Sequence, residues 1–155
     1  MMFDYQIFQK SICSTEEKNR CINLVDQLYE FSVKARNEGI LSLEEDIPYV
    51  KNDFLREALK LVIDGIDPEI AAGILYNLIS GGDLEGSELL ELMIVTEGVL
   101  RIQQGVNPNL LKKILLSLLG ARKYLELNRQ EGEPKETFDG GVPDLEAETG
   151  DETLI

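Results

Sequence analysis

The sequence predicts an all-α fold, a compact bundle of about five to six helices. Two observations carry this. Apolar residues recur at spacings of three and four along most of the first 120 positions, and no stretch keeps the two-residue alternation of a half-buried strand. Capping residues and glycine stops then cut the pattern into segments. A length of 155 residues fits one domain, and 43% hydrophobic residues suffice for a core. With 6% aromatics and no Trp, that core must be mostly Leu, Ile and Val.

The elements follow in order. Residues 1–13 form an N-terminal extension whose order the sequence leaves open. Ser14 with Glu17 reads as a capping box. It opens a long helix, "TEEKNRCINLVDQLYEFSVKARNE", that stops at Gly39. Cys21, Leu24, Val25, Leu28 and Phe31 line one face; Ala35 continues it and Val33 falls off it. A short helix, "ILSLEEDI", ends at Pro48, with Leu41 and Leu43 packing it back. Asp53 is expected to cap the helix that Gly65 ends. Asp67 caps the next, with Pro68 in its first turn. Gly81, Gly82 and Gly86 make a loop. Ser87 is expected to cap a helix ending at Gly105. Asn107 and Pro108 start another, which Gly120 ends.

Two segments align without gaps at an offset of 40 residues: "LKLVIDGIDPEIAAGILYNLIS" from Leu59 and "VLRIQQGVNPNLLKKILLSLLG" from Val99. Glycine, aliphatic, Asp/Asn, proline is a recipe for a tight helix–turn–helix corner, predicted at Gly65–Pro68 and Gly105–Pro108. Two copies are too few for a helical solenoid. The expected domain is therefore residues 14–127. Residues 128–155 are few in aliphatics and rich in Gly, Pro, Asp and Glu, and read as an acidic disordered tail. Its end, "DETLI", reads either as a partner-binding peptide or as part of a solubilising tail.

Formal charge is −14, and residues 131–155 carry nine acids against one lysine, net −8. The remaining −6 belongs to residues 1–130. Nucleic acid and anionic lipid are disfavoured as partners, since both demand clustered Lys/Arg. Cys13 and Cys21 lie eight apart, about 12 Å along a helix, too far for a disulfide. They read as reduced thiols. Two thiols and no histidine argue against a structural zinc site. No run approaches the roughly 20 apolar residues of a membrane span, and "MMFDYQIFQK" is not a secretory signal. A cytoplasmic protein is expected, without membrane insertion.

The sequence offers no catalytic, cofactor or metal site. There is no histidine base, no Gly-x-Ser-x-Gly elbow and no calcium loop, and "GGDLEG" lacks the Lys-Ser/Thr of a phosphate loop. Carboxylate groups such as Glu44/Glu45/Asp46 arise readily in a chain with 29 acids. A binding protein, not an enzyme, is expected.

At this point the residues carry a resemblance. Arg36, Gly39, Ile40, Leu41, Leu43 and Glu44, then Phe54, Leu55 and Arg56, then Asp64, Gly65, Asp67, Pro68 and Glu69 resemble the first cytoplasmic segment of the flagellar stator A subunit, the MotA type. Glu97, Gly98, Val99, Leu100, Ile102, Gln103, Gly105, Asn107 and Pro108 are similar to the cytoplasmic tail of the same family. The resemblance covers residues 24–120. In the family, two membrane helices separate these segments and two more precede the first. Here the loop Gly81–Gly86 joins them almost directly, so this chain is not expected to conduct ions itself.

The resemblance implies a contact with the rotor switch protein FliG. It maps the arginine of that contact onto Arg36 and the glutamate onto Glu44, with Glu45 and Asp46 beside them. The expected function is a stator-like protein that binds a motor component, either the rotor switch or the stator's cytoplasmic domain, beside the inner face of the membrane. For each charge the alternative is a solvated group or a local ion pair. The alternative for the whole chain is a self-associating helical scaffold, with a seam along helix 87–104 and "LLKKILLSLL".

Overall fold

Helix α2, Thr15–Glu38, is the longest element and begins where the capping box places it. Ser14 Oγ accepts from the Glu17 amide at 3.2 Å, and Glu17 Oε2 accepts from the Ser14 amide at 2.9 Å. Its inner face is Cys21, Leu24, Val25, Leu28 and Ser32, with Phe31 and Ala35 half-buried at the core's edge. The computed structural model describes residues 3–132, and no strand occurs among them. The predicted all-α bundle is therefore what forms.

After Gly39 the chain runs through two 3-10 segments, Ile40–Glu45 and Ile47–Tyr49, rather than the single short helix expected there. The change corrects the packing as well. Leu43 is fully buried and Ile40 packs beside it, while Leu41 is 70% exposed. A 3-10 helix repeats every three residues, so positions 40 and 43 share a face and 41 points away.

Four further helices complete the bundle: α3 Asp53–Ile63, α4 Pro68–Ser80, α5 Gly86–Gln103 and α6 Pro108–Ser117. Asn52, not Asp53, caps α3, because its side chain accepts from the Leu55 amide at 3.0 Å. Ser87 does not cap α5. Gly86, at φ +60°, makes the turn and already begins the helix, and no side chain caps that end. Helix α5 is the axis of the fold, packed by α2, α3, α4 and α6. Every residue from Met93 to Leu100 is buried. That stretch is covered by this chain's own helices and leaves Leu92, half-buried, as the apolar residue of α5 that a seam along helix 87–104 could still use.

Two helices lie outside the expected bundle. Helix α1, Tyr5–Lys10, is capped by Asp4. It follows Phe3, whose buried ring packs on Tyr76 and Phe8 with centroids 5.1 and 6.3 Å apart. This small cluster extends the core with Ile79, Leu89 and Met93. Helix α7, Ala121–Gly132, docks Tyr124 and Leu127 on the core and runs past the boundary expected at residue 127. The rest of the acidic segment, 133–155, lies outside the described residues.

Candidate docking surface

The corner at Gly39 is built from local chemistry. Gly39 takes φ +89°, and its amide closes on the Ala35 carbonyl at 2.8 Å. A left-handed residue here reverses the chain, which only glycine does without steric cost. Ser42 Oγ then donates to the Gly39 carbonyl at 2.6 Å. Across the reversal, Lys34 Nζ on α2 reaches Asp46 at 2.8 Å and Glu45 at 3.4 Å. Hydrogen bonding to Asp46 raises the Lys34 pKa above its usual value, with Glu45 adding to it against partial desolvation. This clamp ties the 3-10 segment to the last turns of α2.

The four candidate residues thus separate into two pairs. Arg36 and Glu44 are exposed on either side of the corner and hold no ion pair among the described residues. Glu45 and Asp46 share Lys34. Sequence reading missed Lys34, because its partners sit 11 and 12 positions away. The Gly39 stop is the signal that folds one onto the other. Beside the clamp lies a shallow groove of about 530 Å³, lined by Tyr29, Val33, Lys34, Asn37, Glu38 and Glu45 among others. Val33, which falls off the core-facing stripe of α2, finds its place there.

Several other residues of the resemblance are occupied inside the fold, while Leu41, Asp64 and Glu69 are exposed. Leu55 is buried, and Arg56 donates to the Val50 carbonyl at 3.0 Å while pairing with Asp53. Glu97 is 6% exposed, accepts from the Tyr76 hydroxyl at 3.3 Å and pairs with Arg101 at 3.3 Å. Burial, then the Glu97 charge, raises the Tyr76 pKa, so the phenol stays a donor. These groups line a second cleft of about 350 Å³ with Pro68, Glu69 and Leu100. Gln103 donates to the Ile66 carbonyl at 2.8 Å.

Both cysteines are free. Burial pushes the Cys21 thiol up to about 12 and raises Cys13 as well, so neither is a reactive thiolate near neutrality. Among the described residues no group of His, Cys, Asp and Glu is placed to hold a metal ion. No described helix is long and apolar enough to cross a membrane.

No protein-family model matches the chain. Part of it aligns with Motility protein A from Borreliella burgdorferi, Treponema phagedenis and Treponema pallidum. Over 55 residues it is 38% identical to that of Borreliella burgdorferi, covering 36% of this chain and 21% of that protein. Over 57 residues it is 39% identical to that of Treponema phagedenis, covering 37% and 22%. Over 44 residues it is 43% identical to that of Treponema pallidum, covering 28% and 17%. The aligned part spans about a fifth of the length of these relatives. That part of the chain is similar to Motility protein A, and the likeness is a partial one.

Proposed function

We propose that this chain is a stator-like, motility-associated protein that binds a component of the flagellar motor through the Gly39 corner. The observation that carries the reading is the contrast within the resemblance. Most of its side chains on α3 and α5 have partners inside the fold, whereas Arg36 and Glu44, like Asp64 and Glu69 at the next corner, are exposed without an ion-pair partner among the described residues. Opposite charges offered from a clamped corner give orientation and encounter rate more than affinity, which suits a contact made and broken repeatedly. Glu45 and Asp46 hold the corner through Lys34 and add negative potential beside Glu44. The favoured partner is the rotor switch protein FliG, with the stator's cytoplasmic domain as the second choice. The chain itself would modulate or scaffold the motor rather than carry ions.

The test is binding of the purified full chain to purified FliG of its own organism, at low and high salt. Arg36→Glu and Glu44→Arg should each slow association at least about tenfold at low salt, with smaller effects on dissociation. Unchanged association in both variants sinks the site, and no FliG binding by the wild type moves the reading to the stator domain.

One observation favours self-association as a second reading. Ile70, Ile74 and Leu78 on α4 are 60, 38 and 51% exposed, an apolar stripe at four-residue spacing. Sedimentation of wild type against Ile70→Glu/Leu78→Glu decides it: a dimer lost in the variant favours the scaffold, and a monomeric wild type removes it.

A further inference from the structure

Formal charge changes sign twice along this chain. Residues 3–107 carry nineteen Asp/Glu against nine Lys/Arg, net −10. Residues 108–132 carry Lys112, Lys113, Arg122, Lys123 and Arg129 against Glu126 and Glu131, net +3. Residues 133–155 carry eight carboxylates against Lys135, net −7. The positive stretch is α6 and α7, which pack on each other, with α6 also on α2.

These helices enclose an open groove of about 490 Å³, lined by Lys112, Lys113 and Leu116 of α6, Asn128 and Glu131 of α7, and Tyr29 of α2. Lys112 is already engaged. Its Nζ lies 3.1 Å from Glu131 and 4.0 Å from Asp26, and 5.9 Å from the centre of the Tyr29 ring. Lys113 is exposed and has no carboxylate partner among the described residues. The groove therefore offers one open cation over an aromatic and aliphatic surface. Glu131 stands on its rim, two positions before Glu133, where the acidic segment starts.

We infer that this groove binds the acidic segment 133–155 of the same chain, whose carboxylates, among them Glu133, Glu136 and Asp139, complement Lys113 and whose Phe138 suits an aromatic and aliphatic surface. Reach is no obstacle. Seven residues separate Glu131 from Phe138, up to about 24 Å of extended chain. The tether holds the segment at an effective concentration on the order of millimolar. Repulsion by the −10 remainder leaves α6 and α7 as the favourable surface. The contact is exposed and charged, so salt weakens it. This inference stands apart from the motor reading.

Hydrogen–deuterium exchange of the full chain tests it. At about 0.02 M NaCl, residues 133–148 should exchange at least about tenfold more slowly than at about 0.5 M. Lys113→Glu should abolish that protection at low salt, Lys113→Arg should keep it, and Lys113→Glu/Glu136→Lys should restore part of it. Lys113 is exposed, so unchanged far-ultraviolet dichroism should accompany these variants. Random-coil exchange at low salt overturns the inference, as does protection that survives Lys113→Glu. Protection that rises with protein concentration assigns the segment to a neighbouring copy and overturns it too.

Discussion

The two corners, Gly65–Pro68 and Gly105–Pro108, are one piece of geometry used twice. Gly65 and Gly105 take φ +75° and +71°. Asp67 and Asn107 cap at φ −51°, ψ 136° and φ −54°, ψ 133°. Each cap accepts from the amide two residues on at 2.9 Å. The amides of Ile66 and Val106 reach back to the carbonyls of Leu61 and Arg101, at 3.1 and 3.2 Å. The surroundings differ. Where the first copy has Ile63 and Gly73, and Ala58 just before it, the second has Gln103 and Lys113, and Gly98 just before it. Gln103 grips the turn of the first corner, and Ile63 has no such donor to offer the second. The corner is thus interchangeable punctuation, and the specific fold is written in the residues around it.

The largest break in the comparison is at Gly98. A Cβ there would lie 2.7 Å from Leu28 Cδ1, and Leu28 is fully buried. The equivalent position before the first copy, Ala58, is fully buried yet carries its methyl group. Helix α2 therefore crosses α5 more closely than anything crosses α3 at that register. Gly98→Ala should destabilise by about 2 kcal/mol, overpacking of about 1–3 kcal/mol partly offset by better helix propensity. Urea denaturation reads this directly. Leu28→Val in the same chain should recover part of the loss. An unchanged midpoint for Gly98→Ala would mean that Leu28 moves aside freely.

The next effect tests the likeness itself. Gly65→Ala and Gly105→Ala each put a Cβ on a left-handed residue, costing about 1–2 kcal/mol. At both sites the space around that Cβ is open, so strain is the only term. The two losses should agree within about 0.5 kcal/mol, and a larger gap would show that one corner is held harder by its neighbours. Asp67→Ala and Asn107→Ala come next, at about 1 kcal/mol each.

Local signals explain what was legible. The capping box at Ser14, the stop at Gly39 and both corners act within four or five residues of themselves, and the sequence displays them. Leu41 was misplaced because the short segment after Gly39 follows a three-residue period, and six residues hold too few apolar positions to distinguish it from 3.6. Helix α7 was missed because only Tyr124 and Leu127 anchor it, an interval too brief to stand out beside an acidic run. At the candidate surface, Arg36 and Glu44 are named through the resemblance, on either side of the Gly39 stop, and both are exposed. The Lys34 clamp was not legible, since it depends on how the chain returns after Gly39. Nor was the Glu97–Tyr76 contact, formed between residues 21 positions apart on different helices.

The smallest predicted effect separates two glycines inside helices, Gly73 and Gly98. Gly73 sits inside α4, where the second copy has Lys113, and a Cβ built on it meets nothing within 4 Å. It has no turn to make and no close neighbour to accommodate. Gly73→Ala should therefore stabilise the protein by about 0.5–1 kcal/mol, the helix-propensity difference acting chiefly through the unfolded chain. The same substitution thus has opposite signs at Gly73 and Gly98, one helix apart. Thermal unfolding of the two variants side by side checks both at once. If Gly73→Ala proved neutral or harmful, something would be offsetting the helix-propensity gain at that site, and sedimentation of the wild type would then show whether a second copy covers the stripe of Ile70, Ile74 and Leu78 on the same helix.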